Sequence, residues 1–534
     1  MGTLAYLGGK SVAAAGVVLA LAASSASAID PLSPTASPVP ATVTNAISRV
    51  EAKARYRHST WGLFAADAHT GQVLLSQNPE KLFTPGSTLK TYAAASVLHE
   101  YGANHRFRTP VFRTAGVRHG ALRGNLVLVA SGDFSFGLRD RPHGIQAYNT
   151  APQLDHSDAD GTPGATLVAH SNPLSGVEQL ARQVRASGIR RVNGNVVIDD
   201  RLFATYSGWP DGAVSAVGIN ENFLDITARA TRPGRPARIS YRPHTAAWHV
   251  RSALKTAPRG SAPSWQVTQT GPGEVTVSGT VPAGDGPLLQ VFQIPNPAAF
   301  ARTAFIEALR RAGVAVAARS TGPNPRNLLP RSRRYRTSRR VALRVSATLA
   351  QTVKVILKVS ANRGADLLVC LVAARHGQRE CPNGLPFLQS NAARLGSPPD
   401  VTFAFDGAGS DDRDRINPAA FTTFLRRVLL TPYGSALRAA LPVVGVNGTL
   451  ATLGKGTPSV GRIQAKPGNR VAFATPALGI AGASNLAGYI DTKSGRTLVF
   501  ANLIGNIPLT AELPEIFSIF GDQQLINGAI QQGY

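Results

Sequence analysis

The stretch Thr84-Pro85-Gly86-Ser87-Thr88-Leu89-Lys90 leads into the segment TYAAASVLHEYG, and this junction organises the rest of the sequence. A proline and a glycine end an extended segment, and the residues that follow favour a helix that ends at Gly102. Ser87 and Lys90 are three residues apart, so a helix places them on one face. A hydroxyl beside an amine is one arrangement that activates a weak nucleophile. The alternative is that Ser87 is an ordinary helix N-cap.

A second Ser-x-x-Lys sequence lies at Ser252-Ala253-Leu254-Lys255. It continues into Thr-Ala-Pro-Arg-Gly, and no helical pattern follows that would hold the two side chains on one face. We therefore interpret this copy as a chance match and keep the pair at Ser87 and Lys90.

The composition predicts a multidomain protein with a strong basic bias. A chain of 534 residues with 43% hydrophobic residues is long enough for roughly two to four domains. The formal net charge is +26, yet only ten of the 56 basic residues are lysine. Because lysine, unlike arginine, readily loses its proton and acts as a base, Lys90 stands out against this arginine-rich background.

The N-terminus predicts export. Residues 1–28 have the pattern of a signal peptide, with Lys10, an apolar run at 12–22 and the small residues Ala26-Ser27-Ala28 before a cleavage point near Ala28. An uncleaved anchor is the alternative, and residues 29–42 predict a flexible leader. The exported protein would reside in a periplasm, at the cell surface or in the medium.

Export makes Cys370 and Cys381 candidates for a disulfide, although Cys370 lies in an apolar helical run and a buried free thiol is the alternative. The 11 histidines show no metal-ligand spacing. We therefore predict neither a metal site nor a cofactor.

The middle of the chain changes character. Residues 43–108 predict a helix, a hairpin and the Ser87 segment, whereas 109–325 predict short strands broken by turns, which indicates a large β-rich insertion. Residues 326–342 form an arginine-rich linker without acids. This linker predicts either a solvated loop or a patch for an anionic wall polymer or lipid, and export argues against nucleic acid as the partner.

Two further constellations follow in residues 343–534. Ser360-Ala361-Asn362 lies at a break between two helical patterns, where a hydroxyl and an amide can point into a cleft. Lys466-Pro467-Gly468-Asn469 precedes a strand that begins at Arg470. Between them, FDGAGSDDRDRINP and LPVVGVNGTLA predict turn-rich loops, in which Asp406 is a turn and hydrogen-bonding residue.

Ser-x-x-Lys, Ser-x-Asn and Lys-x-Gly in this order, with some 270 residues between the first two, resemble the D-alanyl-D-alanine carboxypeptidase/endopeptidase family. These are the exported low-molecular-mass class C penicillin-binding proteins. The resemblance covers most of the mature chain and is weakest at about 110–300. It implies an α+β fold: a layered transpeptidase domain like that of penicillin-binding proteins and β-lactamases, split by the β-rich insertion.

The resemblance also implies roles. Ser87 would be the nucleophile and Lys90 its base. Ser360 and Lys466 would pass a proton to the leaving group, and Asn362 would bind the substrate amide. The backbone at Gly468 and Asn469 would hold the substrate, with Arg470 nearby. The implied partners are peptidoglycan stem peptides, with β-lactams as inhibitors.

The third constellation departs from the family. Its usual sequence is Lys-Thr-Gly-Thr, so Pro467 and Asn469 replace hydroxyls that would hold the C-terminal carboxylate of the substrate. A proline is tolerated only on a sheet edge. We therefore expect altered carboxypeptidase activity, with endopeptidase action less affected. The alternatives are a catalytically impaired wall-binding or β-lactam-sensing homologue and a β-lactamase.

Overall fold

The computed structural model describes residues 38–158, 164–333, 335–475, 478–510 and 513–534. The predicted signal peptide and residues 29–37 of the predicted leader lie outside these ranges. Within them, no helix combines the length and apolar character that crossing a bilayer requires.

The first part of the chain supplies two helices, a hairpin and the Ser87 segment. A short 3₁₀ turn, Gly86–Leu89, precedes the second helix directly. The elements are α1 (Ala41–Glu51), β1 (Thr60–Asp67), β2 (Val73–Gln77) and α2 (Lys90–Tyr101).

The middle of the chain is rich in short strands. Its elements are β3 (Arg106–Arg113), β4 (Val117–Arg118), β5 (Ala121–Leu122), β6 (Leu126–Val129), β7 (Leu154–Asp155), β8 (Ala165–Thr166), α3 (Ser175–Ala186), β9 (Arg191–Val192), β10 (Val196–Asp199), β11 (Phe223–Arg229), β12 (Arg238–Arg242), β13 (His249–Ala257), β14 (Ser264–Gly271), β15 (Glu274–Pro282), β16 (Leu288–Gln293), α4 (Pro297–Arg311) and β17 (Ala315–Val316).

The last part of the chain alternates helices with strands and ends in a long helix. Its elements are β18 (Arg340–Thr348), α5 (Leu349–Val359), α6 (Asn362–Arg375), α7 (Leu385–Arg394), β19 (Thr402–Phe403), β20 (Arg415–Ile416), α8 (Pro418–Leu429), α9 (Gly434–Ala440), β21 (Ile463–Thr475), β22 (Leu478–Asp491), β23 (Thr497–Gly505), β24 (Ile507–Leu509) and α10 (Leu513–Gly533).

The main sheet joins the two ends of the chain. Its strand order is β2-β1-β23-β22-β21, with β24 also paired to β22. Helices α1 and α10 pack on one face, where they share a core with alternate residues of the strands. Helix α8 packs on the opposite face. The third predicted constellation therefore lies on β21, an edge strand.

Helix α2 is the centre of the helical layer. Its residues from Lys90 to Leu98 are all buried, so the helix is enclosed on every side, and a helix of this kind is expected in a core. Helices α5, α6, α7 and α9 surround it. Gly102 ends it with a φ of 78°, as predicted.

Two neighbouring strands connect the middle of the chain to the parts before and after it. Strand β3 crosses the predicted boundary at 108/109, and β18 begins inside the predicted linker 326–342. The two strands pair antiparallel, and β6 and β10 extend the same sheet. The alternation of apolar and polar residues within one strand could not predict this pairing, because the paired strands are more than 200 residues apart in the sequence.

Three sequence-based expectations have structural outcomes outside the site. Cys370 and Cys381 form a disulfide. The second Ser-x-x-Lys copy lies on strand β13 and on no helix. In the arginine-rich linker, Arg326 and Arg333 form ion pairs with Asp200 and Asp199, so part of the linker is braced against the insertion.

Candidate active site

Ser87 lies in the 3₁₀ turn and Lys90 is the first residue of α2. Ser87 is partly exposed, whereas the Lys90 side chain is fully buried. Their Oγ and Nζ atoms are 2.6 Å apart. The sequence predicted one helix face for this pair, and the tighter turn at Ser87 brings the two groups into direct contact.

The turn is anchored from both sides. Asn485 on β22 donates hydrogen bonds to the carbonyls of Thr84 and Pro85, at 2.9 and 2.8 Å. Gly86 has a φ of 51°, a left-handed conformation that glycine adopts without strain. A Cβ on Gly409 would lie 1.9 Å from the Gly86 carbonyl oxygen, so the 403–410 loop closes on this turn only because position 409 is glycine.

The Lys90 amine is shared among three elements. Besides Ser87, its Nζ atom contacts Asn362 Oδ1 at 2.6 Å and the Ala408 carbonyl oxygen at 2.7 Å. A protonated amine can donate to all three, and a neutral amine can instead accept the Ser87 hydroxyl proton. The geometry is therefore compatible with both the protonated and the neutral Lys90 amine, as a proton acceptor for Ser87 requires.

Ser360 and Asn362 are placed by the break between α5 and α6. Ser360 has a φ of 60°, which is unusual for a serine and costs about 1 kcal/mol. This conformation ends α5 and lets α6 begin at Asn362. The Asn362 amide therefore spans the site: its oxygen contacts Lys90, and its nitrogen donates to Asp211 Oδ1 at 2.7 Å.

Lys466 closes the other side of the site. Its buried Nζ donates to Ser360 Oγ at 2.9 Å and to the Pro467 carbonyl at 2.8 Å. The sequence interpretation placed Lys466 before a strand, which is wrong: β21 already begins at Ile463. The alternation of apolar and polar residues that would predict this strand was not recognised, because Pro467 and Gly468 interrupt it.

Pro467, Gly468 and Asn469 run along the edge of β21 beside the Ser87 turn. A Cβ on Gly468 would lie 2.4 Å from the Pro85 carbonyl oxygen, so a side chain does not fit there. The Asn469 side chain is exposed. Arg470 Nε donates to Asp412 Oδ1 at 2.6 Å, a partner that the sequence did not predict.

The 403–414 loop is held by carboxyl groups. Asp406 accepts four backbone N–H bonds, from Ala408, Gly409, Ser410 and Asp411, at 2.6 to 3.0 Å. The sequence interpretation of Asp406 as a turn residue is confirmed. These bonds fix the loop that presents the Ala408 carbonyl to Lys90.

The surroundings raise the pKa values of two neighbouring carboxyl groups. Burial, with Asp406 nearby, raises the pKa of Asp366 well above its usual range. Burial and the charge of Asp406 raise the pKa of Asp414 to about 8. Asp366 accepts the Gly407 N–H and Asp414 accepts the Phe405 N–H, so both support the same loop.

The insertion contributes directly to the site. Trp209 Nε1 donates to the Phe405 carbonyl at 2.9 Å, and this contact places Asp211 against Asn362. A cavity of about 290 Å³ opens beside the Asn362 side chain, between the insertion and the start of α6. Its lining includes Phe134, Asp211, Phe223, Asn362 and Arg363.

Lys358 ties the Ser360 break to the Lys466 strand. Its buried amine donates to the Leu441 carbonyl and to Asn447 Oδ1, and the 441–447 loop pairs with β21 through Pro442 and Val444. Burial, followed by the charge of Lys354, lowers the pKa of Lys358 to about 7. Nothing in the sequence distinguishes Lys358 from an ordinary helix lysine.

The structure therefore brings five predicted residues together: Ser87, Lys90, Ser360, Asn362 and Lys466. Asp211, Lys358 and the Ala408 carbonyl were not predicted. Asp211 lies 151 positions before Asn362, and a backbone carbonyl has no sequence signature. The only local signal for Asp211 was the turn-forming sequence Trp-Pro-Asp-Gly.

A model of the D-Ala-D-Ala carboxypeptidase 3 (S13) family matches residues 43–516. The chain belongs to this family. It is accordingly a serine-type peptidase, and the family predicted from the three constellations is confirmed. The match includes both parts of the split domain and the insertion between them.

Two relatives and one solved structure agree with this assignment. A D-alanyl-D-alanine carboxypeptidase of an Actinomadura species is 25% identical over 459 residues, covering 81% of this chain and 76% of that protein. The carboxypeptidase DacB of Haemophilus influenzae is 22% identical over 468 residues, covering 84% and 85%. The crystal structure of penicillin binding protein 4 from H. influenzae has a TM-score of 0.66 at 19% identity, covering 92% of this chain and 99% of that one. The predicted fold class is confirmed.

Proposed function

We propose that this protein is an exported serine-type D-alanyl-D-alanine carboxypeptidase and endopeptidase that acts on peptidoglycan stem peptides through a Ser87 acyl-enzyme. The observation that carries the proposal is the 2.6 Å contact between the partly exposed Ser87 hydroxyl and the buried Lys90 amine. The predicted signal peptide supports export with cleavage near Ala28. The H. influenzae relative in complex with a β-lactam supports β-lactams as inhibitors.

In the acylation step, Ser87 Oγ attacks the carbonyl carbon between the two D-alanines while its proton moves to a neutral Lys90 amine. The C–N bond breaks, and the departing amine receives that proton from Lys90 by way of the Ser360 hydroxyl, which Lys466 orients. The acyl group remains on Ser87 as an ester. Water then adds to that ester, its hydroxide joins the acyl carbon, and its proton restores the serine hydroxyl.

The charge that develops on the carbonyl oxygen would be stabilised by the backbone N–H groups of Ser87 and Asn469. Each such donor contributes about 3 kcal/mol to lowering a barrier of this kind. Because only the backbone of Asn469 is needed, the departure from the usual third motif leaves this part intact. Asn362 would hold the substrate amide beside the nucleophile.

The departure at Pro467 and Asn469 affects carboxylate recognition instead. Neither side chain offers the hydroxyl that would hold a C-terminal carboxylate, and Arg470 is paired with Asp412. We expect slow release of terminal D-Ala, with cleavage of cross-links less affected. Arg470 and Asn469 are the remaining groups that could bind the carboxylate.

Parallel assays on a D-Ala-D-Ala pentapeptide and on cross-linked muropeptides test this selectivity. The double variant Pro467→Thr/Asn469→Thr should raise pentapeptide cleavage about tenfold, because a hydrogen bond to a charged group contributes about 1.5–3 kcal/mol. Cross-link cleavage should change less. Fast release of D-Ala by the parent protein would contradict the expectation.

The same departure favours a second candidate, a wall-binding or β-lactam-sensing homologue with impaired turnover. It would still be acylated, since Ser87 and Lys90 are in contact, but its acyl-enzyme would persist on substrate. A β-lactamase, by contrast, would release penicillin rapidly. Two rates distinguish the peptidase, the homologue with impaired turnover and the β-lactamase: the rate at which the penicilloyl adduct disappears and the rate at which the peptidyl adduct disappears.

A further inference from the structure

The insertion carries a cluster of unpaired cations at the end of β11 that lies away from the active-site cavity. We define this arginine corner as six exposed residues on β11, on β12, in the turn between them, and at or just after the end of β13. They are Arg229, Arg232, Arg235, Arg238, Lys255 and Arg259. Among the described residues, none of the six has a side-chain hydrogen bond or an ion pair.

The backbone holds these residues at one corner. Arg229 lies directly opposite Arg238 in the antiparallel ladder of β11 and β12. The turn between those strands bonds to the end of β13: the Thr256 N–H donates to the Arg235 carbonyl, and Pro236 forms a bridge with Lys255. The six cations therefore share one surface rather than being scattered.

The two ends of the same ladder differ in charge pairing. Near the cavity, Asp225 lies opposite Arg242 and the two form an ion pair of 2.9 Å. At the corner, an arginine faces an arginine, and like charges directly opposite each other destabilise a sheet. Residues 226–242, which contain β12 and the turn before it, include no acidic residue, and the exposed Asp285 directly follows the turn at residues 283–284. Such a cluster is stabilised when an external anion occupies it.

The surroundings favour a polyanion over a membrane. Of the large hydrophobic residues that are exposed in the described ranges, none lies between Ile145 and Leu328. The corner therefore has no exposed large hydrophobic side chain to insert among lipid chains, which stable surface binding requires. It also lacks an exposed Tyr, Phe or Trp on which a nucleic-acid base could stack.

The position of the arginine corner relative to the active site indicates which polyanion binds there. Phe223, at the start of β11, lines the cavity beside Asn362, and Arg229 ends the same strand. Six residues of strand span about 20 Å, since each residue advances about 3.3 Å. A polymer bound at the corner could thus pass one of its stem peptides to the cavity.

We propose that the arginine corner binds the carboxylates of neighbouring stem peptides in polymeric peptidoglycan, and so holds the polymer while one peptide enters the active site. The guanidinium fork matches a carboxylate in two parallel hydrogen bonds. This inference rests on the proposed function for its substrate. It adds a second contact that a short soluble peptide does not reach.

The test compares two variants with the same change in charge. Arg229→Gln/Arg232→Gln/Arg235→Gln/Arg238→Gln removes four corner cations. The control, Arg118→Gln/Arg123→Gln/Arg182→Gln/Arg319→Gln, removes four exposed arginines that likewise lack partners elsewhere on the insertion. Sedimentation with insoluble peptidoglycan measures polymer binding, and penicillin acylation measures the active site without the polymer.

The corner variant should bind peptidoglycan about tenfold or more weakly at low salt, because several exposed ion pairs of small individual value are lost together. The control should bind within about twofold of the parent after the same loss of charge. Both should acylate at the parental rate, which shows that they are folded. Equal weakening of both variants, or no weakening of the corner variant, would overturn the inference.

Competition identifies the chemistry. Poly-glutamate and inorganic polyphosphate are compared at equal concentrations of negative charge. Poly-glutamate should displace the protein from peptidoglycan at the same concentration as polyphosphate or at a lower one. Displacement by polyphosphate alone would contradict a carboxylate partner and indicate a phosphate polymer. If the parent protein fails to react with penicillin yet binds peptidoglycan through the corner, the proposed function fails while the surface assignment stands.

Discussion

At the scale of the residue, the protein is organised by the environment of one amine. Lys90 lies in a buried position where a serine hydroxyl, an amide oxygen and a backbone carbonyl converge on its Nζ atom. Each of these comes from a different element. The amine can therefore serve Ser87 only when the 86–90 turn, the start of α6 and the 403–410 loop are all in place.

Replacing Lys90 with methionine removes the proton acceptor while keeping the length of the side chain. Acylation by a fluorescent penicillin should slow by about 10²–10⁴-fold, the usual contribution of a positioned base. The rate constant is read from gel fluorescence against time. Lys255→Met is the matched control, because it changes the other Ser-x-x-Lys copy, on strand β13, and should leave the rate unchanged.

Asp406 supports the same amine indirectly. In Asp406→Asn one oxygen becomes an NH₂ group that cannot accept the backbone N–H bonds, so the loop loses part of its anchor. We expect a loss of about 2 kcal/mol in the free energy of unfolding, since buried donors are left without acceptors, and slower acylation. Denaturant unfolding and penicillin labelling measure the two effects. Parental values for both would contradict a positioning role.

At the scale of the element, the 403–414 loop should show a pH dependence. The pKa of Asp414 is raised to about 8 in the folded protein, above its unfolded value of 3.8. The contribution of the Asp414 carboxyl group to the free energy of unfolding is therefore fully present below the unfolded pKa. It is lost as the pH rises towards 8. Above pH 8 the carboxylate is charged in both states and the loss is complete.

Asp414→Asn imitates the neutral carboxyl group and should remove this dependence. The variant should match the parent near pH 4 and exceed its free energy of unfolding by about 2–5 kcal/mol near pH 8.5. Chemical unfolding at pH 4, 6, 7 and 8.5 gives the difference. The exposed Asp400→Asn serves as the control, and a difference that does not vary with pH would show that Asp414 is ionised throughout.

The elements differ in how far the sequence predicted them. Helix α2, the β1–β2 hairpin and the break at Ser360 follow from local patterns, because helix formers, turn residues and apolar alternation act over a few positions. Strand β21 was recognised only in its second half, since Pro467 and Gly468 lie within it. The edge position that tolerates Pro467 depends on the sheet order, which a local pattern does not contain.

At the scale of the whole molecule, the insertion is part of the site. Trp209 and Asp211 reach from it to Phe405 and Asn362, and both contacts join segments more than 150 positions apart. The sequence predicted that an insertion exists but assigned it no role. Such contacts arise from packing of distant segments, which is why spacing identified Ser87, Lys90, Ser360, Asn362 and Lys466 and missed Asp211.

The Asp211 contact should influence acylation across this boundary. In Asp211→Ala the Asn362 amide loses the acceptor that orients it, and penicillin acylation should slow about 2- to 10-fold, as for the loss of one hydrogen bond. Rates are measured as for the other variants. Asp285→Ala, which removes an exposed acid from the same insertion, should have no effect. Equal rates for Asp211→Ala and the parent would show that the insertion does not tune the site.

The most direct test of the account is the intact mass of the protein after incubation with benzylpenicillin. We predict an increase equal to one drug molecule, mapped by peptide mass to Ser87, and no increase in Ser87→Ala. An adduct that persists in Ser87→Ala, or a parent protein that remains unmodified, would contradict the assignment of Ser87 as the nucleophile.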